Sequence, residues 1–225
     1  MSEIRVTLIR DHIAALWNSF GGQHLSVDEV LLRELHAKKD YTGMFGVVKK
    51  QMLLSLRLQV GFVNKGGPRH APAWVDLRLS GPLYGTEEYK RTIFTVFIKK
   101  AFLAEAPFES VVYAIAHELA HVLLASLGNT LCVVEEAVDL TVLLLGYGKF
   151  YAQGREYPSS SVHNRNKEEE DGGLFVNILK PLSNFLESIG AKKKKTPWVG
   201  KLALGYLSPD EIRFAETLIC ERRRP

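Results

Sequence analysis

Apolar residues recur at helical spacing over the first 20 positions, where Ile4, Leu8, Ile9, Ile13, Leu16, Trp17 and Phe20 fall near one face before Gly21 and Gly22 close the segment. Ser26, Val27, Asp28 and Glu29 then take the form of a capping box, which predicts a second helix to about Ala37. The pattern changes after residue 51. Three runs, 53–64, 73–79 and 91–102, are rich in Val, Ile, Leu, Phe and Trp and are separated by glycine and proline turns, so they predict strands of one sheet. In the third run both alternating faces stay largely apolar until Lys99 and Lys100, as expected of a strand covered at least partly on both sides.

Pro107 suits a first helical position, and from there to Leu127 apolar residues lie nearly all round the helical wheel, which predicts a buried helix. Gly128, Asn129 and Thr130 end it. A second apolar helix is expected over 131–145, before Gly146 and Gly148, so that the two form a helical hairpin. Residues 153–173 are polar, contain glycine and have no period, the pattern of a mobile loop, whereas 174–189 is again helical in spacing. Ser208, Pro209, Asp210 and Glu211 combine a capping box with proline at the first helical position, and a last helix should reach about Arg222, with Arg222, Arg223 and Arg224 suiting its negative end. No internal repeat is present. The elements add up to an α+β fold: a small mixed β-sheet packed on the buried helix, with helices at both ends of the chain. One domain over residues 1–225 is expected, divided into N-terminal helices (1–50), a sheet and site core (51–152), the loop (153–173) and C-terminal helices (174–225).

At 225 residues and 46% hydrophobic, the chain can bury a core of its own. A charged fraction of 24% and a net charge of +4 do not point to a nucleic-acid partner. The lysine run at 192–195 and the terminal arginines lack the interleaved aromatics of a single-strand-binding surface and read as solvated helix-end charge. Cys132 and Cys220 are too few for a disulfide framework and form no CxxC pair, which fits a reducing compartment. Glu3, Arg5, Arg10 and Asp11 interrupt the N-terminal segment, so no signal peptide is expected there, and no run of 18 apolar residues suggests a membrane span. A cytoplasmic protein is the expectation. Nothing in the sequence speaks to oligomeric state.

The candidate chemistry sits on the buried helix, in His117-Glu118-Leu119-Ala120-His121. Four residues turn an α-helix through about 400°, so the two imidazoles project one turn apart on one face and can grip a single ion about 2 Å from each nitrogen. Glu118 lies about 100° round from His117, close enough to hold a metal-bound water without being a ligand. Two histidines and a glutamate on a helix otherwise built of Val, Ala, Ile and Leu would be costly to bury without compensation, and a metal supplies it. Zinc needs a third protein ligand, and the next helix offers Glu135 with Asp139 four residues on. Those two share a face, so Glu135 can ligate while Asp139 accepts a hydrogen bond from a ligand histidine. Glu136 competes for the ligand role but points about 100° away and suits solvent or an arginine partner. His70, His163 and Asp171 are remoter candidates.

HELAH followed by EEAVD resembles the gluzincin branch of the zincin metallopeptidases, whose pattern is HExxH and later ExxxD on a second helix; the likeness covers about residues 94–145. The resemblance implies a zincin-like fold and one Zn2+ per chain on His117, His121 and Glu135. It further implies Glu118 as general base, Asp139 as the partner of a ligand histidine, and a peptide or protein substrate whose peptide bonds are hydrolysed. In zincins the substrate commonly lies extended along the edge strand above the active-site helix, and the resemblance nominates 91–102 for that part. A donor to the oxyanion is still required, and Tyr147, Tyr151 and Tyr206 are candidates because a phenol donates without adding negative charge at neutral pH. The alternative is a zincin-fold module that binds zinc without turnover and serves regulation or interaction. Glu118 speaks against it, since loss of activity appears most simply as loss of that base.

Overall fold

A computed structural model of the chain describes residues 1–20, 26–68, 71–77, 82–158 and 201–224. The N-terminal apolar stripe forms α1 (Glu3–Phe20), with Ile9, Ile13 and Leu16 buried. α2 (Glu29–Ala37) is capped by Asp28, whose carboxylate accepts from the Leu31 N–H at 3.0 Å, so the cap lies two residues beyond the expected Ser26. α3 (Tyr41–Gln51) follows, its start set by Asp40 accepting from the Gly43 N–H at 2.8 Å. Its two glycines and its β-branched residues blur the helical pattern, which is why the sequence marks neither of its ends.

Each of the three apolar runs contributes a strand shorter than the run: β1 (Arg57–Val63), β2 (Ala73–Val75) and β3 (Ile93–Lys99). A short helix, α4 (Glu87–Arg91), precedes β3, and α5 (Lys100–Glu105) takes over where the third run was expected to stay extended to Phe102. The strands make a mixed sheet in the order β1-β3-β2, β3 lying parallel to β1 and antiparallel to β2, with Trp74 opposite Phe97. Phe94, Val96 and Ile98 of β3 are buried, while the other face is half-covered, in part by Trp74 stacked on Phe97 at 5.3 Å. β3 is therefore central. A strand paired on both sides is not an edge, so 91–102 is not the edge strand that the resemblance nominates; among the described residues the edges of the sheet are β1 and β2.

α6 (Phe108–Ser126) begins just after Pro107 and buries every residue except Glu109 and Ala125. It packs on α2, α3 and β2 and on the elements that follow: a 3-10 turn (Thr130–Val133), α7 (Glu135–Leu144) and α8 (Gly148–Gly154). Each buried Leu or Val contributes about 1.5–3 kcal/mol by leaving water, so this helix anchors the core and holds rigidly whatever side chains it carries. Gly128, at φ 66°, lets the chain leave the helix, and the Asn129 N–H closes the last turn on Leu124 O at 3.0 Å. The expected second helix of the hairpin is thereby divided: the 3-10 turn absorbs 130–133, and Glu135 becomes the first residue of α7. α8 approaches α6 so closely that a Cβ on Gly154 would meet Glu109 and Ser110 main chain at 2.5 Å, and Ser110 Oγ donates to Gly154 O at 2.5 Å.

Glu156–Pro158 (β4) and Lys201–Ala203 (β5) pair as a two-stranded sheet. The last helix, α9 (Pro209–Arg223), has the expected capping box between Ser208 and Glu211 and packs on α1, α7 and α8. The chain divides into two compact units, Met1–Glu156 with Ala203–Pro225, and Tyr157–Leu202. Most of the second unit, including residues 159–173 of the expected loop, the 174–189 helix and the 192–195 lysines, lies outside the described residues, while 153–158 of that loop fall at the end of α8 and in β4. Among the described residues α6 is the one helix long and apolar enough to cross a membrane, and 89% of that window is buried inside the molecule, as in a core helix. The architecture is thus mixed α and β, with a small three-stranded sheet set against a central buried helix.

Candidate metal centre

His117 and His121 stand one turn apart on α6, and their Nε2 atoms lie 3.2 Å from each other. Glu135, opening α7, brings Oε2 to 3.1 Å from His117 Nε2 and 3.4 Å from His121 Nε2. The three ligating atoms lie within 4.8 Å of one another and could hold a metal ion. The outer nitrogens settle which way the rings present their lone pairs. His117 Nδ1 is 3.0 Å from Asp139 Oδ1 and His121 Nδ1 is 2.7 Å from Cys132 O; both partners are acceptors, so each Nδ1 carries a proton, and in the neutral ring each Nε2 keeps a lone pair that faces inward. Two imidazole lone pairs and a carboxylate converging on one point form a donor set that a cation fits. Without a metal, a proton takes the inward position on His117 Nε2, beside Glu135. Burial acts to lower its pKa, yet hydrogen bonds to Asp139 and Glu135 and their charges outweigh that and push it up to about 10. Glu135 moves the other way: burial raises it, but bonds to the two histidines hold it at about 2, an anion under all ordinary conditions.

Glu118 is 8% exposed and is not one of the converging ligands. Burial raises its pKa, with some help from Glu135, against the lowering effect of both histidines and of the Val75 main chain. It lines an open cavity of about 710 Å³ together with His117, His121, Glu135, Trp74, Val75 and Tyr206. Among the described residues that line the cavity there is no lysine or arginine. β2 forms one wall. The Asp76 N–H bonds Thr95 O and Lys99 N–H bonds Pro72 O, so residues 72, 74 and 76 turn their main-chain groups toward β3. Ala73 and Val75 then present theirs to the free edge.

Asp139 is wholly buried and is surrounded by donors: His117 Nδ1, the Tyr113 hydroxyl, the Tyr151 hydroxyl at 2.7 Å and the Tyr206 N–H at 2.6 Å. Burial would raise its pKa, but these partners hold the carboxyl below its usual range. Glu136 stands apart from the cluster, paired to Arg5 at 3.1 Å, and Arg5 also binds Glu211 at 2.6 Å.

Of the three tyrosines nominated as oxyanion donors, the structure places one on the cavity. Tyr147 is buried, donates to Gln51 Oε1 at 2.8 Å and does not line the cavity, so it is a packing residue. Tyr151 is likewise buried and its proton is committed to Asp139. Tyr206 lines the cavity, is 58% exposed and sets its ring nearly parallel to His117 with centroids 6.4 Å apart. His70, His163 and Asp171 lie outside the described residues. Sequence reasoning passed over Tyr113 and the Cys132 carbonyl. Tyr113 precedes His117 by four residues and so shares its helix face, a signal present in the spacing; the Cys132 carbonyl has no sequence signal, because it depends on the 3-10 turn. Comparison of the chain with models of protein families, with curated proteins and with solved structures finds no match in any of the three.

Proposed function

We propose that this chain is a zinc-dependent metallopeptidase with a zincin-like site of the gluzincin pattern. His117, His121 and Glu135 would hold one Zn2+ per chain, and Glu118 would act as general base. The observation that carries the reading is the inward convergence of two Nε2 atoms and a carboxylate, beside a buried glutamate on the wall of an open cavity. The combination of three protein ligands with open space suits zinc in a catalytic rather than a closed structural role. Zinc in such a site would lower the pKa of a water and polarise a scissile carbonyl.

The remaining work falls to the chain's own side chains. Glu118, buried and raised in pKa by that burial, takes the water's proton and passes it to the leaving amine. Asp139 keeps the His117 ring in one tautomer and one orientation. The edge of β2 offers the N–H and C=O of Ala73 and the C=O of Val75 to an extended peptide, the Val75 N–H being bonded to Glu118, which supports a peptide as substrate and gives affinity without demanding a sequence. Tyr206, which lines the cavity, would donate to the oxyanion, because Tyr147 and Tyr151 have spent their protons elsewhere.

The test is metal content per chain by mass spectrometry, beside a His117→Ala, His121→Ala double variant, followed by peptide cleavage with Glu118→Gln. About one zinc in the wild type and none in the double variant is the expected result. Glu118→Gln should keep the zinc and lose cleavage by roughly 100-fold or more. No zinc in the wild type, even after supplementation, overturns the proposal. Zinc present with no hydrolysis of any peptide would leave a zinc-binding module.

A further inference from the structure

The geometry around Asp139 points to a further pair of positioning residues: we infer that Tyr113 and Tyr151 clamp the Asp139 carboxylate and thereby set how tightly the centre holds its metal. The inference rests on the metal-site reading and extends it to residues that the HExxH and ExxxD spacings do not contain.

Asp139 is 0% exposed, and among the described residues no lysine or arginine is bonded to it. A buried carboxylate survives only if its lone pairs are filled. Here Oδ1 takes His117 Nδ1 and the Tyr113 hydroxyl, and Oδ2 takes the Tyr151 hydroxyl and the Tyr206 N–H. The direction of each phenolic bond is determined by its surroundings. The Tyr151 oxygen accepts from the Leu207 N–H at 2.9 Å, which leaves its own proton for Asp139. Tyr113 also faces His117 Nδ1 at 3.3 Å, but that nitrogen already carries a proton directed at Asp139, so the phenol can donate only to the carboxylate.

The two rings form a rigid unit. They stack at 4.4 Å with 5° between their planes. Gly205, at φ +80°, packs against both hydroxyls, where a Cβ would come to 2.5 Å from the Tyr151 oxygen and 2.6 Å from that of Tyr113. A carboxylate gripped on both oxygens cannot turn about its own bond. Its hold on His117 Nδ1 is therefore fixed, and so is the direction in which Nε2 points. Without either phenol, Asp139 would swing toward its remaining donors and release the histidine, and loss of such a supporting contact typically weakens metal binding 10–100-fold.

The experiment measures zinc affinity of the full chain by chelator competition, and the visible spectrum of the cobalt-substituted protein, for wild type, Tyr113→Phe, Tyr151→Phe and Tyr147→Phe. Tyr147 is the control, since it is equally buried and also hydrogen-bonded, to Gln51, but touches neither Asp139 nor a ligand. Tyr113→Phe and Tyr151→Phe should each bind zinc about 10–100-fold more weakly. Both should alter the cobalt bands, while Tyr147→Phe matches the wild type in both readouts. Wild-type affinity in the two site variants would overturn the inference and leave the metal site standing. So would an equal loss in all three, which would reduce the effect to general loosening. A wild type that binds no zinc would instead sink the metallopeptidase proposal itself.

Discussion

Gly205 shows how much of the site depends on a residue with no side chain. At φ +80° it occupies backbone space that L residues avoid, and a Cβ there would press on the hydroxyls of Tyr151 and Tyr113. Gly205→Ala therefore meets two penalties at once, and the expected loss of stability is about 1–3 kcal/mol, read from urea unfolding. Zinc affinity should fall with it, because the displaced hydroxyls are those that hold Asp139. At this scale the sequence was partly readable. His117, Glu118 and His121 announce themselves by spacing, and Glu135 with Asp139 follows from a second four-residue interval. The tyrosines were not sorted correctly, because which phenol faces a cavity and which faces a carboxylate depends on α8 and on the return of the chain at 204–207. Neither is coded in the local pattern.

Helix α9 carries a prediction of the element scale. Ser208 Oγ accepts from the Glu211 N–H, and the Glu211 carboxylate accepts from the Ser208 N–H at 2.7 Å while binding Arg5 Nε at 2.6 Å. Ser208→Ala should cost about 1 kcal/mol by removing half of the box. Glu211 adds a pH dependence. Burial would raise its pKa, but Arg5 and Ser208 override that and hold it below its ordinary 4.5. A carboxyl lower in the folded than in the unfolded state stabilises above its unfolded value and loses that contribution as pH falls through the folded one. Glu211→Gln should thus lower stability near neutral pH and show a smaller further loss on acidification, checked by urea unfolding at about pH 7 and about pH 4. The capping box was legible because all of its parts lie within four residues. α5 was not: past Lys99 and Lys100 the residues Ala101, Phe102 and Leu103 are as apolar as the strand before them, and only the packing of Phe102 and Leu103 from a helix distinguishes it.

For the whole molecule, the features that sequence could not show are those that join distant segments. The order β1-β3-β2 puts the third run in the middle of the sheet and leaves β1 and the three-residue β2 at its edges, an outcome set by pairing across 20 or more residues rather than by the strands' own patterns. Arg5 joins α1 to Glu136 and Glu211, at the starts of α7 and α9, which no spacing rule anticipates. These long-range ties mean that the proposed metal site is built from segments the unfolded chain does not bring together, since α6, α7 and the 204–207 return must all be in place before His117, His121 and Glu135 converge on a fixed geometry. A metal that binds only the assembled site must then stabilise the fold by mass action, by about 2.7 kcal/mol when free zinc is 100 times its dissociation constant. Thermal unfolding with zinc, and again after chelation, should show a higher midpoint in the loaded protein. The His117→Ala, His121→Ala variant should unfold at the same temperature in both conditions. A zinc-dependent shift that persists in that variant would place the bound metal elsewhere on the chain and remove the convergence of His117, His121 and Glu135 as the basis for the proposed activity.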